Sequence, residues 1–151
     1  MSTDRIESLR AAAMDAMQQA YAPYSNFRVG AALRSTDGEV TIGCNVENAA
    51  YPAGICAERA AIASAVAQGR RSFDILVLAT EADAPTPPCG MCRQVLGEFS
   101  WHGELEIVSV TTSGQEARWR LDALLPNPFS PNSLGTNEGK TKARRQRRDT
   151  P

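Results

Sequence analysis

Two short motifs constrain the fold of this chain more than anything else in its sequence: Cys56-Ala57-Glu58 and Pro88-Cys89-Gly90-Met91-Cys92. Each stands where a helix is predicted to begin. In the second, a spacing of three puts Cys89 and Cys92 on one helical face. The free N–H groups and the dipole at a helix N-terminus favour thiolate over thiol. Two helix starts pointing at one place would bring three thiolates together from two elements. Between them runs Asp74–Thr80 (DILVLAT), a nearly continuous apolar stretch that reads as a central strand buried on both faces. Taken alone, Cys-x-x-Cys suits either a metal or a redox disulfide.

Adding Cys56 shifts the balance towards zinc, which takes four ligands and, at a catalytic site, leaves one of them to water. Glu58, in the first turn beside Cys56, could take a proton from that water. In isolation it would be a helix-start carboxylate stabilised by the dipole. Three thiolates leave the site with a net charge of −1, so compensating charge is expected nearby. Arg59 and Arg93 are the neighbours able to donate to the sulfurs; either could also be a surface arginine, and the charge argument favours Arg59. Cys44 reads as a buried structural cysteine in a strand. His102 is the only histidine and is predicted in a loop, which disfavours nucleophilic-triad chemistry.

Around these motifs the pattern is α-β-β-α-β-α-β-β-α. Helices are predicted over Asp4 to about Ala20, Cys56–Gln68, Cys89–Phe99 and Leu121–Leu125. Strands are predicted over Arg28–Arg34, Glu39–Asn45, Asp74–Thr80, Leu105–Thr111 and Glu116–Arg120. Asp37-Gly38 marks a hairpin, and Gly90 in the first turn of its helix suggests close backbone approach. This order predicts a three-layer α/β/α sandwich on a mixed, roughly five-stranded sheet. Ala57–Ala67 (AERAAIASAVA) is apolar or small almost all round, so either a second subunit covers it or it is simply half exposed.

The 151 residues fit one domain. Of 16 Lys and Arg, six lie in Glu138–Pro151, as do two of the 17 Asp and Glu, so residues 1–137 carry a net −5. A mildly acidic body argues against a polynucleotide surface. From Ser130 onward the polar and basic composition predicts a chain end without fixed structure. No stretch is apolar for long enough to span a bilayer. No signal peptide is visible, and the free cysteines suit a reducing cytosol, so a cytoplasmic protein is expected.

These motifs resemble those of the small, homotetrameric cytidine deaminases. The wider zinc-deaminase class carries a Cys or His ligand, a Glu two residues on, and then Pro-Cys-x-x-Cys. The likeness extends to Tyr21-Ala22-Pro23-Tyr24-Ser25-Asn26-Phe27, Val29-Gly30-Ala31-Ala32-Leu33, Gly43-Cys44-Asn45-Val46-Glu47-Asn48-Ala49-Ala50-Tyr51, Cys92-Arg93-Gln94-Val95, and Leu124-Leu125-Pro126 with Phe129. It runs from about residue 6 to 134, implying a catalytic domain over 1–134 and a basic tail over 135–151.

The resemblance implies one Zn2+ per subunit, held by Cys56, Cys89 and Cys92. It implies hydrolytic deamination of cytidine and 2′-deoxycytidine in pyrimidine salvage, with water activated on zinc attacking C4 and Glu58 shuttling the proton. Asn45 and Glu47 would hold the ribose, Phe27 would wall the base pocket, and backbone at Ala57 would read the base edge. Phe129 would stack on the pyrimidine from a neighbouring subunit, with Tyr51 at the same shared site and Gln94 supporting the region near Cys92. The partners implied are a nucleoside substrate and three further copies of the chain, without nucleic acid or membrane. Three rivals remain: a deaminase of polynucleotides or nucleoside antibiotics, a structural zinc module using Cys44 as fourth ligand, and a thiol–disulfide oxidoreductase at Cys89 and Cys92.

Overall fold

The computed structural model describes residues 3–100 and 104–135; His102 and the basic segment beyond 135 lie outside the described residues. Helix α1 (Thr3–Gln18) is followed by β1 (Val29–Ser35), β2 (Val40–Cys44), α2 (Ala57–Ala67), β3 (Phe73–Thr80), α3 (Gly90–Glu98), β4 (Glu106–Thr111), β5 (Glu116–Arg120) and the short α4 (Leu121–Leu124). Every predicted element is present, with ends shifted by one or two residues.

The strands form one sheet in the order β2-β1-β3-β4-β5. β1 pairs antiparallel with both β2 and β3, β3 pairs parallel with β4, and β5 is antiparallel to β4. The parallel step requires a crossover, which α3 provides. Alternation along β3 divides the core. Ile75, Val77 and Ala79 pack with Leu9, Ala13 and Met17 of α1. Leu76 and Leu78 pack on the other face with Ala57, Ala61 and Ile62 of α2 and Leu96 of α3. Because β3 meets helices on both sides, its sequence is apolar without alternation. The result is the three-layer α/β/α arrangement.

Two glycines set how closely the helices lie on the sheet. A Cβ at Gly30 would collide with the carbonyl oxygen of Ala13 and come within 2.9 Å of Met17 Cα. A Cβ at Gly43 would collide with the carbonyl oxygen of Ala57 and sit 2.5 Å from the Ala61 amide. Gly90, expected to serve such an approach, does not: a Cβ there meets nothing within 4 Å. The close-approach glycines lie in strands under helices, not at a helix start.

A second correction concerns the chain end. Pro131–Leu134 forms a 3-10 turn where no fixed structure was expected from Ser130. Ser130 and Ser133 cap it reciprocally, with the Ser130 amide donating to Ser133 Oγ at 3.2 Å.

Candidate active site

β2 and β3 run in the same direction and end on the same edge of the sheet, where each leads into a helix. After β2 the chain stays extended. The Tyr21 amide donates to Asn45 O at 3.0 Å and the Glu47 amide to Tyr21 O at 2.8 Å, while Val46 and Ile55 exchange bonds of 3.0 and 2.9 Å. That ladder delivers Cys56 as the N-cap of α2. After β3, the loop is anchored where the Thr86 amide donates to Ser109 Oγ at 3.0 Å, and Cys89 arrives as the N-cap of α3. Neither cap side chain bonds its own helix, leaving both sulfurs for another partner.

The sulfurs of Cys56, Cys89 and Cys92 all lie within 4.8 Å of one another. A zinc ion ~2.3 Å from three sulfurs in tetrahedral directions would hold them roughly 3.8 Å apart, so the cluster fits zinc after a small contraction. Cys44 is not in it, which removes the fourth ligand that a closed structural site needs. Cys56 ionises ahead of Cys92. The Cys92 thiol donates a hydrogen bond to it and Arg59 a second, bringing its pKa down to about 5. Cys92 is pushed up, first by that bond to Cys56 and then by burial. Cys92 therefore keeps its proton beside the Cys56 thiolate, and a divalent cation is what allows it to ionise as well.

The two candidate arginines separate. Arg59 Nη2 lies 3.8 Å from Cys56 Sγ and 3.5 Å from Gly54 O. Arg93 turns away, donating from Nε to Pro88 O at 2.7 Å and from Nη1 to Leu124 O at 3.1 Å. It ties α3 to the loops instead of touching sulfur.

Glu58 is 5% exposed. Burial raises its carboxyl above the usual range, and the neighbouring Cys56 adds to the shift. It lines a cavity of about 380 Å³ together with Cys56, Cys89, Phe27, Ala57 and Arg59. Asn45, Glu47 and Tyr51 line the same cavity. The Asn45 amide is already engaged with the backbone: Oδ1 accepts from the Val29 amide and Nδ2 donates to Phe27 O, both at 2.8 Å. Glu47 accepts from the Ser25 hydroxyl and from the amides of Tyr24 (2.9 Å) and Ser25 (3.2 Å). These bonds lower its pKa, the hydroxyl most. Tyr51 packs edge-on against Tyr24 at 5.9 Å.

Phe129 does not line this cavity; it stands 61% exposed. Gln94 Nε2 donates to Phe129 O at 2.8 Å, so it fixes that segment and does not touch the sulfurs. Sequence reasoning missed Val29, Leu78, Thr80 and Thr86 on the cavity wall. Nothing local marks them, since they look like ordinary strand and loop residues.

An α/β/α fold with three gathered sulfurs and a buried glutamate at two helix starts defines a zinc-dependent hydrolase of the deaminase class. The chain belongs to the cytidine and deoxycytidylate deaminase family: residues 3–105 match the model of the family's zinc-binding region. Cytidine deaminase of Sporosarcina psychrophila is 43% identical over 129 residues, covering 85% of this chain and 94% of that protein. A probable cytidine deaminase of Dictyostelium discoideum is 40% identical over 135 residues, covering 89% and 90%. The crystal structure of cytidine deaminase from Burkholderia pseudomallei superposes with a TM-score of 0.78 at 44% identity, covering 85% of this chain and all of that one. Zinc is accordingly the cofactor, and the three-cysteine cluster is its fitting site.

Proposed function

We propose that the protein deaminates free cytidine and 2′-deoxycytidine to uridine and 2′-deoxyuridine, releasing ammonia, as a step of pyrimidine salvage. The observation that carries this reading is one cavity lined both by Cys56, Cys89 and buried Glu58 and by Asn45 and Glu47. The relatives named cytidine deaminase support it.

Zinc bound at the three sulfurs supplies the Lewis acid that makes water a nucleophile near neutral pH. Glu58 takes one proton of the attacking water and delivers it to N3 of the pyrimidine; it then moves the remaining proton, from the hydroxyl added at C4, to the exocyclic nitrogen, so that the C–N bond breaks, ammonia leaves and C4 becomes a carbonyl. Its raised proton affinity suits both halves of that relay. Arg59 offsets the negative charge of the thiolates. Ala57 opens α2, so no helical carbonyl takes its amide and it can read the base edge. Phe27 walls the base. Asn45 holds the Phe27–Val29 backbone in place and offers its remaining N–H and lone pair to the ribose, while Glu47 accepts from a sugar hydroxyl.

Phe129 is exposed on its own chain, which suits a contribution to a neighbouring subunit's site. Ala63, Ser64 and Ala67 leave α2 a bare face of small residues, which supports a homotetramer with shared sites and one zinc per subunit. Residues 1–134 form the catalytic unit of this reading, and 135–151 a tail outside its chemistry. Among the described residues no helix is long and apolar enough to cross a membrane. All four cysteines are free, as a reducing cytoplasm keeps them. Comparing ammonia release from cytidine, 2′-deoxycytidine, a short single-stranded oligonucleotide and blasticidin tests the proposal. Turnover confined to the two nucleosides supports it, and turnover confined to either of the others replaces it.

A further inference from the structure

We infer that Thr80 reads the substrate: its hydroxyl, which has no partner among the described residues, forms a hydrogen bond to the polar edge of the pyrimidine base. Thr80 is the last residue of β3 and is 1% exposed. Its Oγ1 is buried and has no hydrogen-bond partner among the described residues. Leaving a buried hydroxyl unpaired costs folding free energy, and an isosteric valine would avoid that cost. The other residues of this strand's core, Ile75 to Ala79, are all apolar, so the hydroxyl contributes nothing to packing that valine would lack.

Nearby hydroxyls show that partners can be found at this edge of the sheet. On β4, Ser109 Oγ accepts the Thr86 amide at 3.0 Å, and Thr111 Oγ1 lies 2.8 Å from Ser113 Oγ and accepts the Gln115 amide at 3.1 Å. Thr80 is different because of where it faces. By strand alternation it shares the side of Leu76 and Leu78, beneath α2 and α3. There it lines the same cavity as Glu58 and Cys89, with apolar Val29 and Leu78 beside it. An apolar floor with one unspent hydroxyl suits a flat ring with a hydrogen-bonding rim. A pyrimidine offers that rim in its ring nitrogen, carbonyl and exocyclic amine, whereas Asn45 and Glu47 already provide for the sugar.

The inference rests on the nucleoside reading of the site, and one experiment separates the two. Wild type, Thr80→Val and Thr80→Ser are compared for Tm without substrate and for kcat/KM with cytidine and 2′-deoxycytidine. Thr80→Val is expected to melt higher than wild type yet lose roughly 3- to 10-fold in kcat/KM, the worth of one neutral hydrogen bond. The loss is expected to be equal for the two nucleosides because the contact is to the base. Thr80→Ser, which keeps the hydroxyl, is expected to stay within about twofold of wild type. A Thr80→Val protein that melts lower or fails to fold means the hydroxyl has a structural partner, and overturns the inference. So does unchanged kcat/KM, or a loss that differs between the two sugars. If the nucleoside reading itself is wrong, wild type already fails to turn over either substrate.

Discussion

Gly43 lies so close to Ala57 that the strand residue has no room for a side chain: a Cβ would collide with the Ala57 carbonyl oxygen. That contact seats the first turn of α2 on β2, and with it Cys56 and Glu58. A Gly43→Ala substitution must push the helix start away from the sheet. Overpacking of this kind costs about 1–3 kcal/mol, enough to lower Tm by several degrees in a domain of this size. Because the displaced turn carries a metal ligand, zinc content should fall along with Tm. Gly90→Ala, with open space around it, should leave both nearly unchanged. Differential scanning calorimetry and metal analysis of the two variants check this contrast.

Arg59 should govern how well zinc competes with protons. The Cys56 pKa lies at about 5 through hydrogen bonds from Cys92 first and Arg59 next. A depressed pKa gives thiolate that is present above that value and lost as pH falls through it. Arg59→Gln removes one of the groups lowering it, so the pKa rises and zinc loss on acidification begins at a higher pH. A chelator-competition titration at several pH values measures the midpoint. Arg93→Gln should leave that midpoint in place, since among the described residues Arg93 donates to the carbonyls of Pro88 and Leu124 and not to sulfur, although some stability should be lost.

Ser25 sets the ionisation of Glu47. The Ser25 hydroxyl is the largest influence lowering the Glu47 pKa, with the Tyr24 and Ser25 amides adding to it. Glu47 therefore keeps its charge to lower pH than an ordinary glutamate, and the sugar-binding role proposed for it is lost only as pH falls through the depressed value. In Ser25→Ala the pKa moves up towards the ordinary range, and the rise of KM on acidification should begin at a higher pH. KM for cytidine measured across the acid range tests this; superimposable profiles for the two proteins would contradict it.

Much of this fold is legible in the sequence because its signals are local. The DILVLAT run marks a doubly buried strand, Asp37-Gly38 marks the hairpin, and Cys56 and Cys89 open helices whose apolar spacing shows their length. The sulfur cluster is legible because two helix starts, following β2 and β3 at the same edge of the sheet with only β1 between them, have few other ways to meet. What is not legible depends on contacts between distant segments. Asn45 reads as a sugar ligand, but its amide also clamps Phe27 and Val29. Gln94 reads as a neighbour of the zinc ligands, whereas it holds the Phe129 backbone. Gly30 and Gly43 look like any strand glycines until α1 and α2 lie on them. The 3-10 turn at Pro131–Leu134 did carry a local signal, in Ser130 with Pro131 and Ser133, which the polar and basic composition masked.

Glu58 offers the most direct test of the whole mechanism. Glu58→Gln keeps the size and burial of the side chain but can neither accept nor deliver the proton. Ammonia release from cytidine is measured for wild type and variant, with zinc determined on the same samples. Both proteins should hold one zinc per chain, and turnover in the variant should fall by a factor on the order of 10²–10⁴, the usual worth of a positioned acid–base group. Full zinc with undiminished turnover in Glu58→Gln would contradict the assignment of Glu58 as the proton carrier.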